Sequence, residues 1–159
     1  MSYLIDTCVI SELRKPAPQG TVLSWFDSCE EEDMYISSLS IGELHYGISV
    51  LPEGKRKSDL LVWFGQVCDA FADRILPITT TICIIWGDMR ARAQKNGRAL
   101  AVIDGLLAAT AQAHNLILVT RNTTDVEMTG ARVLNPWGDK GQRPESCGHS
   151  RSPESNPCT

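Results

Sequence analysis

The sequence predicts an α/β protein with a three-layer α/β/α fold and a mainly parallel central sheet, and three observations support this prediction. Short apolar runs of strand length alternate along the chain with longer segments of helical spacing. The run at residues 116–120 is apolar until Thr120, which is typical of a parallel strand covered on both faces. Asp6 directly follows another such run, and polar residues collect at the carboxyl ends of strands in open parallel sheets.

Five strands are expected where short apolar runs are bounded by turn-forming residues. The run that opens the chain ends at Asp6. Pro77 indicates that its run lies at a sheet edge or that a strand ends there, because proline has no N–H to donate to a neighbouring strand. The acidic residues at 30–33 predict an exposed loop, and residues 121–125 predict a turn. The strands are expected over residues 3–5, 34–36, 75–78, 116–120 and 132–134.

Prolines and glycines limit the expected helices. The first helix must end before Pro16, because the residue before a proline disfavours the α conformation. Pro52 ends the third helix, and the pair Asn96 and Gly97 ends the fifth. The sixth helix is rich in small residues, which let it lie close against the sheet. Helices are expected over residues 9–13, 20–29, 40–51, 55–72, 86–96 and 102–111.

Length and composition fit one domain followed by a tail. The 159 residues, of which 43% are hydrophobic, suffice for one substantial core, which we expect over residues 1–137. Residues 138–159 are expected to be disordered, because this segment is rich in Gly, Pro and Ser and buries too little surface to offset its ordering entropy. The longest apolar run, residues 82–86, is too short to cross a membrane, and no secretory leader is visible. The protein is therefore expected to be cytoplasmic.

The cysteines and the charges exclude a few classes of protein. The six cysteines lack C-x-x-C or metal-type spacing, and we expect them to be buried thiols. The net charge of −4 excludes a uniformly basic coat for nucleic acid. Residues 55–98 are locally basic, and they form either an RNA-facing surface or an ordinary solvated helix surface. The basic residues concerned are Lys55, Arg56, Lys57, Arg90, Arg92, Lys95 and Arg98.

The candidate catalytic residues stand at strand ends and helix starts. Asp6 follows a strand, and so do Asn122 and Asp125. Glu43 and Asp104 lie near the starts of helices that such strands feed. In a three-layer α/β fold these positions lie on one rim of the sheet. We therefore expect these side chains to converge on Asp6.

A cluster of carboxylates requires a cation. Two carboxylates within about 4 Å repel each other by roughly 4 kcal/mol at an effective dielectric constant near 20. Oxygen ligands without His or Cys suit Mg²⁺, or Mn²⁺, rather than zinc. Such a metal lowers the pKa of an attacking water and stabilises the leaving oxygen during phosphodiester hydrolysis. His45 lies about 200° from Glu43 around a helix, so a two-histidine nuclease is not expected.

Each acidic position, taken alone, also has a structural explanation. Glu43 has the spacing of a capping box with Ser40, and Asp104 can cap its own helix. Asn122 and Asp125 are common turn formers. Their shared location, rather than any single residue, supports a catalytic site.

Three further residues are candidates for contacting RNA or phosphate. Thr7 and Thr120 stand where a hydroxyl could orient a carboxylate or contact a phosphate. Arg121 follows at the same strand end as Thr120. For the two hydroxyls, ordinary turn hydrogen bonding is an equally good explanation.

Four blocks of the sequence resemble the four motif blocks of PIN domains, in the same order and spacing. The resemblance is to bacterial toxins of the VapC and FitB type, and it extends from Tyr3 to Trp137. The four blocks are IDTCVISEL at residues 5–13, SIGELHYG at 40–47, VIDGLLAATA at 102–111 and VTRNTTD at 119–125.

This resemblance implies a Mg²⁺-dependent endoribonuclease toxin that is restrained by a cognate antitoxin of the VapB type. Asp6 and Asp104 would be the principal metal ligands, and Glu43 would complete the acidic cluster. The fourth family position is filled by either Asn122 or Asp125. The family also implies an RNA substrate, a homodimer, and contact with DNA only through the antitoxin.

Other classes of function fit the sequence less well. A phosphatase of the haloacid dehalogenase type needs a second Asp two residues after the first, where Cys8 stands. A phosphoacceptor receiver domain needs a late lysine, where Arg121 stands. The remaining alternative is a PIN-like module that binds RNA or a partner without catalysis, and Asn122 in the fourth position is the feature that supports it.

Overall fold

The computed structural model describes residues 1–138 and has helices on both sides of one sheet. Within these residues, five strands alternate with seven α-helices. The strands are β1 (Tyr3–Ile5), β2 (Met34–Ser37), β3 (Ile75–Leu76), β4 (Ile117–Val119) and β5 (Val133–Leu134). The helices are α1 (Thr7–Leu13), α2 (Gly20–Asp27), α3 (Ser38–Ser49), α4 (Lys55–Ala70), α5 (Thr80–Lys95), α6 (Val102–Ala113) and α7 (Thr123–Glu127).

The sheet is entirely parallel, in the order β3-β2-β1-β4-β5, which confirms the predicted fold class. β1 lies at the centre, between β2 and β4. β3 is an edge strand, as expected from Pro77 directly after it. Because all the carboxyl ends lie at one edge of the sheet, the residues that follow β1, β2 and β4 meet there.

The sheet separates two hydrophobic cores, because successive side chains of a strand point to opposite faces. Leu4 of β1 and Leu118 of β4 belong to the core formed with α5 and α6. Their neighbours Ile5 and Val119 belong to the core formed with α1, α2 and α3. All four side chains are at most 1% exposed, so the central strands are covered on both faces.

The small residues of α6 allow it to approach α5 closely. An added Cβ at Gly105 would lie 2.8 Å from Cδ1 of Trp86, closer than real Cβ contacts come. Leu100 lies at a similar distance. This close packing fixes the start of α6, where Asp104 stands.

Two short segments are more helical than predicted. A 3-10 helix (Glu31–Asp33) lies in the acidic segment that was expected to be a loop. Residues 123–127 form α7 where a turn was expected. In both cases acidic side chains lie in the first turn, where the helix dipole favours negative charge.

The expectation that the cysteines are buried is wrong for Cys83. Cys83 is exposed on α5, because the buried positions of that helix are Ile82, Met89 and Ala93. Cys8, Cys29 and Cys68 are half-buried free thiols. Cys147 and Cys158 lie outside the described residues.

No helix of residues 1–138 combines the length and the apolar character that a bilayer-spanning segment requires. The predicted disordered tail, residues 138–159, lies outside the described residues except for Gly138. The domain boundary at residue 137 therefore stays a prediction.

Candidate active site

Asp6 stands at the carboxyl end of the central strand, and each of its carboxylate oxygens has two donors. Its backbone N–H donates to the Val119 carbonyl (3.1 Å), which fixes it beside β4. Oδ1 accepts hydrogen bonds from the Thr7 N–H (2.6 Å) and the Thr7 hydroxyl (3.1 Å). Oδ2 accepts from the Thr120 hydroxyl (2.7 Å) and the Cys8 thiol (3.2 Å). A carboxylate offers about four lone-pair sites, so these donors hold Asp6 in one orientation.

Thr120 connects Asp6 to the turn that follows β4. Its side chain is buried, with 2% exposure, and its single hydroxyl hydrogen is donated to Asp6. The same oxygen accepts the N–H of Asn122 (3.1 Å). The orientation of Asp6 is therefore coupled to the position of Asn122.

Asn122 lies between two further carboxylates. Its Nδ2 donates to Oδ2 of Asp104 (3.2 Å) and to Oδ2 of Asp125 (3.0 Å). Asn122 is the N-cap residue of α7, but its side chain does not cap that helix. The structure therefore brings Asn122 and Asp125 to the cluster together, rather than one instead of the other.

Asp104 does not cap its own helix, so that structural explanation is wrong. The N-cap residue of α6 is Ala101, and Asp104 occupies the third helical position. Burial raises the pKa of Asp104, and the negative charges of Asp6 and Asp125 raise it further. The hydrogen bond from Asn122 acts in the opposite direction. Asp104 is thus a carboxylate that lies near two others.

Glu43 reaches the same cluster from α3. Burial raises its pKa, and the charges of Asp6 and Asp104 raise it further. The Thr7 hydroxyl, which donates to Asp6, also lies near Glu43 and opposes this shift of the pKa. Carboxylates from β1, α3 and α6 therefore influence one another at one edge of the sheet.

The capping-box explanation of Glu43 is also wrong. Ser37 is the N-cap residue of α3, and its hydroxyl accepts the N–H of Leu39 (3.2 Å). A capping box places its Glu at the third helical position, whereas Glu43 is at the sixth. Ser40 lies inside the helix, fully buried, and its hydroxyl has no partner within residues 1–138. Helix capping therefore does not explain Glu43.

The chemistry of the cluster suits a hard divalent cation. The carboxylates are those of Asp6, Glu43, Asp104 and Asp125. The raised pKa values of Glu43 and Asp104 reflect in part a repulsion that a bound cation would relieve. Neither described histidine joins the cluster: His45 is exposed beside Ser49, and His114 ends α6. Oxygen donors of this kind fit Mg²⁺ or Mn²⁺.

Within residues 1–138, the carboxylates of the cluster do not already have the spacing of a metal-binding site. Within residues 1–138, no three Asp, Glu, His or Cys side chains are grouped tightly enough to hold a metal ion. Hydroxyl, thiol and amide donors occupy carboxylate oxygens instead, namely those of Thr120, Cys8 and Asn122. A cation would have to take the place of one donor on any Asp6 oxygen that it contacts, and the other donor on that oxygen would stay.

Cys8 and Trp137 contact residues of the site but were not among the residues expected there. Burial, and next the charge of Asp6, raises the pKa of the Cys8 thiol to about 12, so this thiol is a protonated donor at neutral pH. Its position two residues after a strand-end Asp, in the first turn of α1, is the signal that could have identified it. The Trp137 ring centroid lies 5.8 Å from the Arg121 guanidinium carbon. This contact orients the exposed Arg121 next to the turn that carries Asn122.

A family model and two curated relatives match most of this chain. The family model of the PIN domain matches residues 3–126. Toxin FitB of Neisseria gonorrhoeae is 39% identical over 137 residues, which cover 86% of this chain and 99% of that protein. VapC ribonuclease Y4jK of Sinorhizobium fredii is 37% identical over 135 residues, which cover 84% of this chain and 96% of that protein.

Solved structures resemble the fold described above. A chain in the structure of FitAB bound to an IR36 DNA fragment gives a TM-score of 0.83 at 35% identity and covers 89% of this chain and 99% of that one. A chain in the crystal structure of FitAcB from Neisseria gonorrhoeae gives a TM-score of 0.81 at 38% identity. That match covers 85% of this chain and 98% of the other.

Proposed function

The chain belongs to the PIN domain family, and from this premise we propose that it is the ribonuclease toxin of a toxin–antitoxin pair. The proposed reaction is the metal-dependent endonucleolytic hydrolysis of RNA phosphodiester bonds. Two relatives support the ribonuclease activity and the toxin role in this proposal: a VapC ribonuclease and Toxin FitB, each matched over most of its length.

The observation that carries the proposal is the meeting of carboxylates from distant parts of the chain. Burial, and next the charge of Asp6, raises the pKa values of Glu43 and Asp104, so these two carboxyl groups are costly to ionise beside Asp6. A purely structural cluster would be expected to contain basic partners. None of the ion pairs within residues 1–138 includes any of these three acids. Such a concentration of unneutralised charge favours a cation-binding function.

Asp6, Glu43 and Asp104 are the residues that would hold the Mg²⁺ or Mn²⁺ ion. When bound, the ion supplies positive charge for the scissile phosphate and lowers the pKa of a water ligand. Thr120 keeps the Asp6 carboxylate in a fixed orientation through its 2.7 Å hydrogen bond. Asn122 does the same for Asp104. Fixed carboxylates lower the reorganisation that accompanies catalysis.

Arg121 is the residue that we assign to phosphate contact. Its guanidinium is exposed and has donors that match phosphate oxygens. Its backbone N–H donates to the Cys8 sulfur (3.4 Å), and its side chain lies over Trp137. The backbone of Arg121 is therefore positioned beside the acidic cluster, and its side chain is oriented by Trp137. Thr7 is a second candidate, because its hydroxyl lies among the carboxylates.

We further propose that an antitoxin of the VapB type restrains this protein and that the toxin forms a homodimer. The similar structures support a protein partner, because one is that of FitAB bound to a DNA fragment and the other is that of FitAcB. In this proposal, contact with DNA is made by the antitoxin. Co-purification of the two chains as one complex, measured by light scattering, tests the partner and the stoichiometry together.

Cleavage assays with matched variants test the proposed activity. The purified protein should cleave single-stranded RNA with Mg²⁺ or Mn²⁺ and lose activity in EDTA. Asp6→Asn and Asp104→Asn should each abolish cleavage, whereas Asp88→Asn on the exposed face of α5 should retain it. Undiminished cleavage by either cluster variant would contradict the proposal.

The second candidate is a PIN-like module that binds RNA or a partner without catalysis. Asn122 favours it, because its amide stands between Asp104 and Asp125, where the family pattern allows an acid. Expression of the chain separates the two candidates. Growth arrest that Asp104→Asn removes supports the nuclease, whereas arrest that survives this change supports the binding module.

A further inference from the structure

A cavity of about 350 Å³ opens beside the acidic cluster, between α1, α3 and α4. Thr7 and Glu43 form part of its wall, so it is continuous with the acidic cluster. Its volume lies at the lower end of the range for small-molecule sites and suits a ligand of about one nucleotide. The rest of its wall is formed by basic and apolar side chains, among them Arg14, Arg56 and Trp63.

On the basis of the proposed function, we propose that this cavity binds one unpaired nucleotide of single-stranded RNA, adjacent to the phosphate that is cut. The nucleotide's base would stack against the side chains of Trp63 and Arg14. Its phosphate would contact Arg14 and Arg56. The cavity would thus hold the RNA strand in position over Asp6, Glu43 and Asp104.

The cationic side chains in the cavity wall are those of Arg14 and Arg56, and they differ in their ion pairing from the lysines beside them. Lys15, Lys55 and Lys57 lie next to them in sequence, and each forms an ion pair with a nearby acid. Arg14 and Arg56 are exposed, and neither forms an ion pair within the described part of the chain. Unpaired guanidinium groups in a cavity are suited to phosphate, which they bind through paired donors.

The aromatic wall suits a flat base. The Arg14 guanidinium carbon lies 5.3 Å from the Trp63 ring centroid, so a cationic plane and an aromatic ring stand together. Unstacked RNA bases bind to aromatic rings and to guanidinium planes. Leu44, Ile48 and Leu60 add apolar surface to the wall. A base inside a duplex is already stacked and paired, so the cavity should select single strands.

The cavity is kept open at Gly47, in the interior of α3. An added Cβ at Gly47 meets no other atom within 4 Å, so protein packing does not require glycine there. A glycine inside a helix is less favourable than an alanine, so packing and helix propensity leave its presence here unexplained. A side chain at this position would extend into the cavity, on the same face of α3 as Glu43 one turn earlier.

Gly47→Leu is therefore the test variant, and Gly87→Leu is its control. Gly87 is also an exposed glycine inside a helix, and an added Cβ there also meets nothing within 4 Å. Both changes improve helix propensity, so neither is expected to unfold the protein. Binding is measured by fluorescence anisotropy with a labelled single-stranded RNA of mixed sequence, in an Asp104→Asn background that prevents cleavage. Gly47→Leu should weaken binding by about 5- to 150-fold, the loss expected for one stacked base, and Gly87→Leu should have no effect.

A charge variant tests the same cavity independently. Replacing Arg14 and Arg56 together by Gln should reduce the salt dependence of RNA binding by about 0.7 in the logarithmic slope for each arginine. The same RNA annealed to its complement should bind weakly to every variant. Equal RNA affinity for Gly47→Leu and Gly87→Leu, together with an unchanged salt slope, overturns the inference.

Two other outcomes separate this inference from the proposed function. If the unmodified protein neither binds nor cleaves RNA with Mg²⁺, the proposed function itself fails. If it cleaves RNA and Gly47→Leu weakens only the capture of its protein antitoxin, the cavity is a peptide site and the nucleotide assignment is wrong.

Discussion

Thr120→Val is the change that most directly tests how the acidic cluster is held in place. Valine has nearly the shape of threonine but lacks the hydroxyl. The change removes the 2.7 Å hydrogen bond to Asp6 Oδ2 and the 3.1 Å hydrogen bond from the Asn122 N–H. Because Thr120 is 2% exposed, water cannot easily replace the lost hydroxyl.

The chain offers a matched control in Thr129→Val. Thr129 is 4% exposed, and its hydroxyl donates to the Val126 carbonyl (2.6 Å) and accepts the Ala131 N–H (3.1 Å). Its hydrogen bonds thus repeat those of Thr120, except that the acceptor is a neutral carbonyl rather than a carboxylate. Neither of these two hydrogen bonds involves a residue of the acidic cluster.

The expected magnitudes follow from the two acceptors. A hydrogen bond to a neutral group contributes about 1 kcal/mol, and one to a charged group contributes about 1.5–3 kcal/mol. Thr120→Val should therefore lower the free energy of unfolding by about 1 kcal/mol more than Thr129→Val, or about 2–4 °C more in Tm. Residues that orient a metal ligand typically change activity or metal affinity by about 10–100-fold, so cleavage by Thr120→Val should fall by that factor.

Two measurements check this reasoning. Urea unfolding of both variants gives the difference in stability, and RNA cleavage over a range of Mg²⁺ concentrations gives the activity and the apparent metal affinity. Thr129→Val should keep the metal dependence of the unmodified protein. If Thr120→Val cleaves RNA as well as Thr129→Val at every Mg²⁺ concentration, the Thr120 hydroxyl makes only an ordinary turn hydrogen bond and does not position Asp6.

Three further predictions concern the cluster and the helix that carries it. Asp104→Asn should raise the stability of the protein in EDTA by about 1 kcal/mol while abolishing cleavage, because it removes a like charge; a lower Tm would contradict this. Because burial and neighbouring acids raise the pKa values of Glu43 and Asp104, the native state holds their protons more tightly than the unfolded chain does. Their contribution to stability in EDTA should therefore decrease as pH rises from their ordinary pKa values through the raised ones, and Mg²⁺ should reduce the decrease; if the reasoning is wrong, thermal melts of the protein and of a Glu43→Gln/Asp104→Asn variant will change in parallel across this pH range. Gly105→Ala should lower the free energy of unfolding by about 1–3 kcal/mol, because its Cβ would lie 2.8 Å from Cδ1 of Trp86. The control Gly87→Ala should be neutral or stabilising. Equal melting temperatures for the two variants would refute the close packing of α5 and α6.

The sequence was sufficient to predict the parallel sheet because the signals for it are local. Apolar runs before Asp6 and Thr120 predicted the strands β1 and β4, and Pro77 indicated an edge position or strand end at β3. A strand buried on both faces must be apolar at every position, whatever its partners are. The order of the strands was not predicted, because it depends on where distant elements pack: β4 lies beside β1 rather than beside β3, the strand before it in the chain.

Helix starts were predicted less well, because several residues can satisfy the free N–H groups of a first turn. Ser40 looked like the cap of α3, but Ser37 fills that role. Asp104 looked like the cap of α6, whose N-cap residue is Ala101. A sequence shows which residues are able to cap, whereas the path of the preceding strand decides which of them does.

The sequence by itself determined that Asp6 would follow β1 and that Asp125 would follow β4, at the same edge of the sheet. The expectation that a strand feeds the helix of Asp104 is wrong, because α6 follows α5. Only the tertiary structure decided which groups contact these acids: the Thr120 hydroxyl reaches Asp6 across 114 residues, and the Cys8 thiol joins it. It also decided that Arg14 and Trp63 stand together in the wall of one cavity. The physical reason is that strand and helix periodicity depends on neighbouring residues, whereas hydrogen-bond partners at a site depend on how distant elements pack, to within about an ångström.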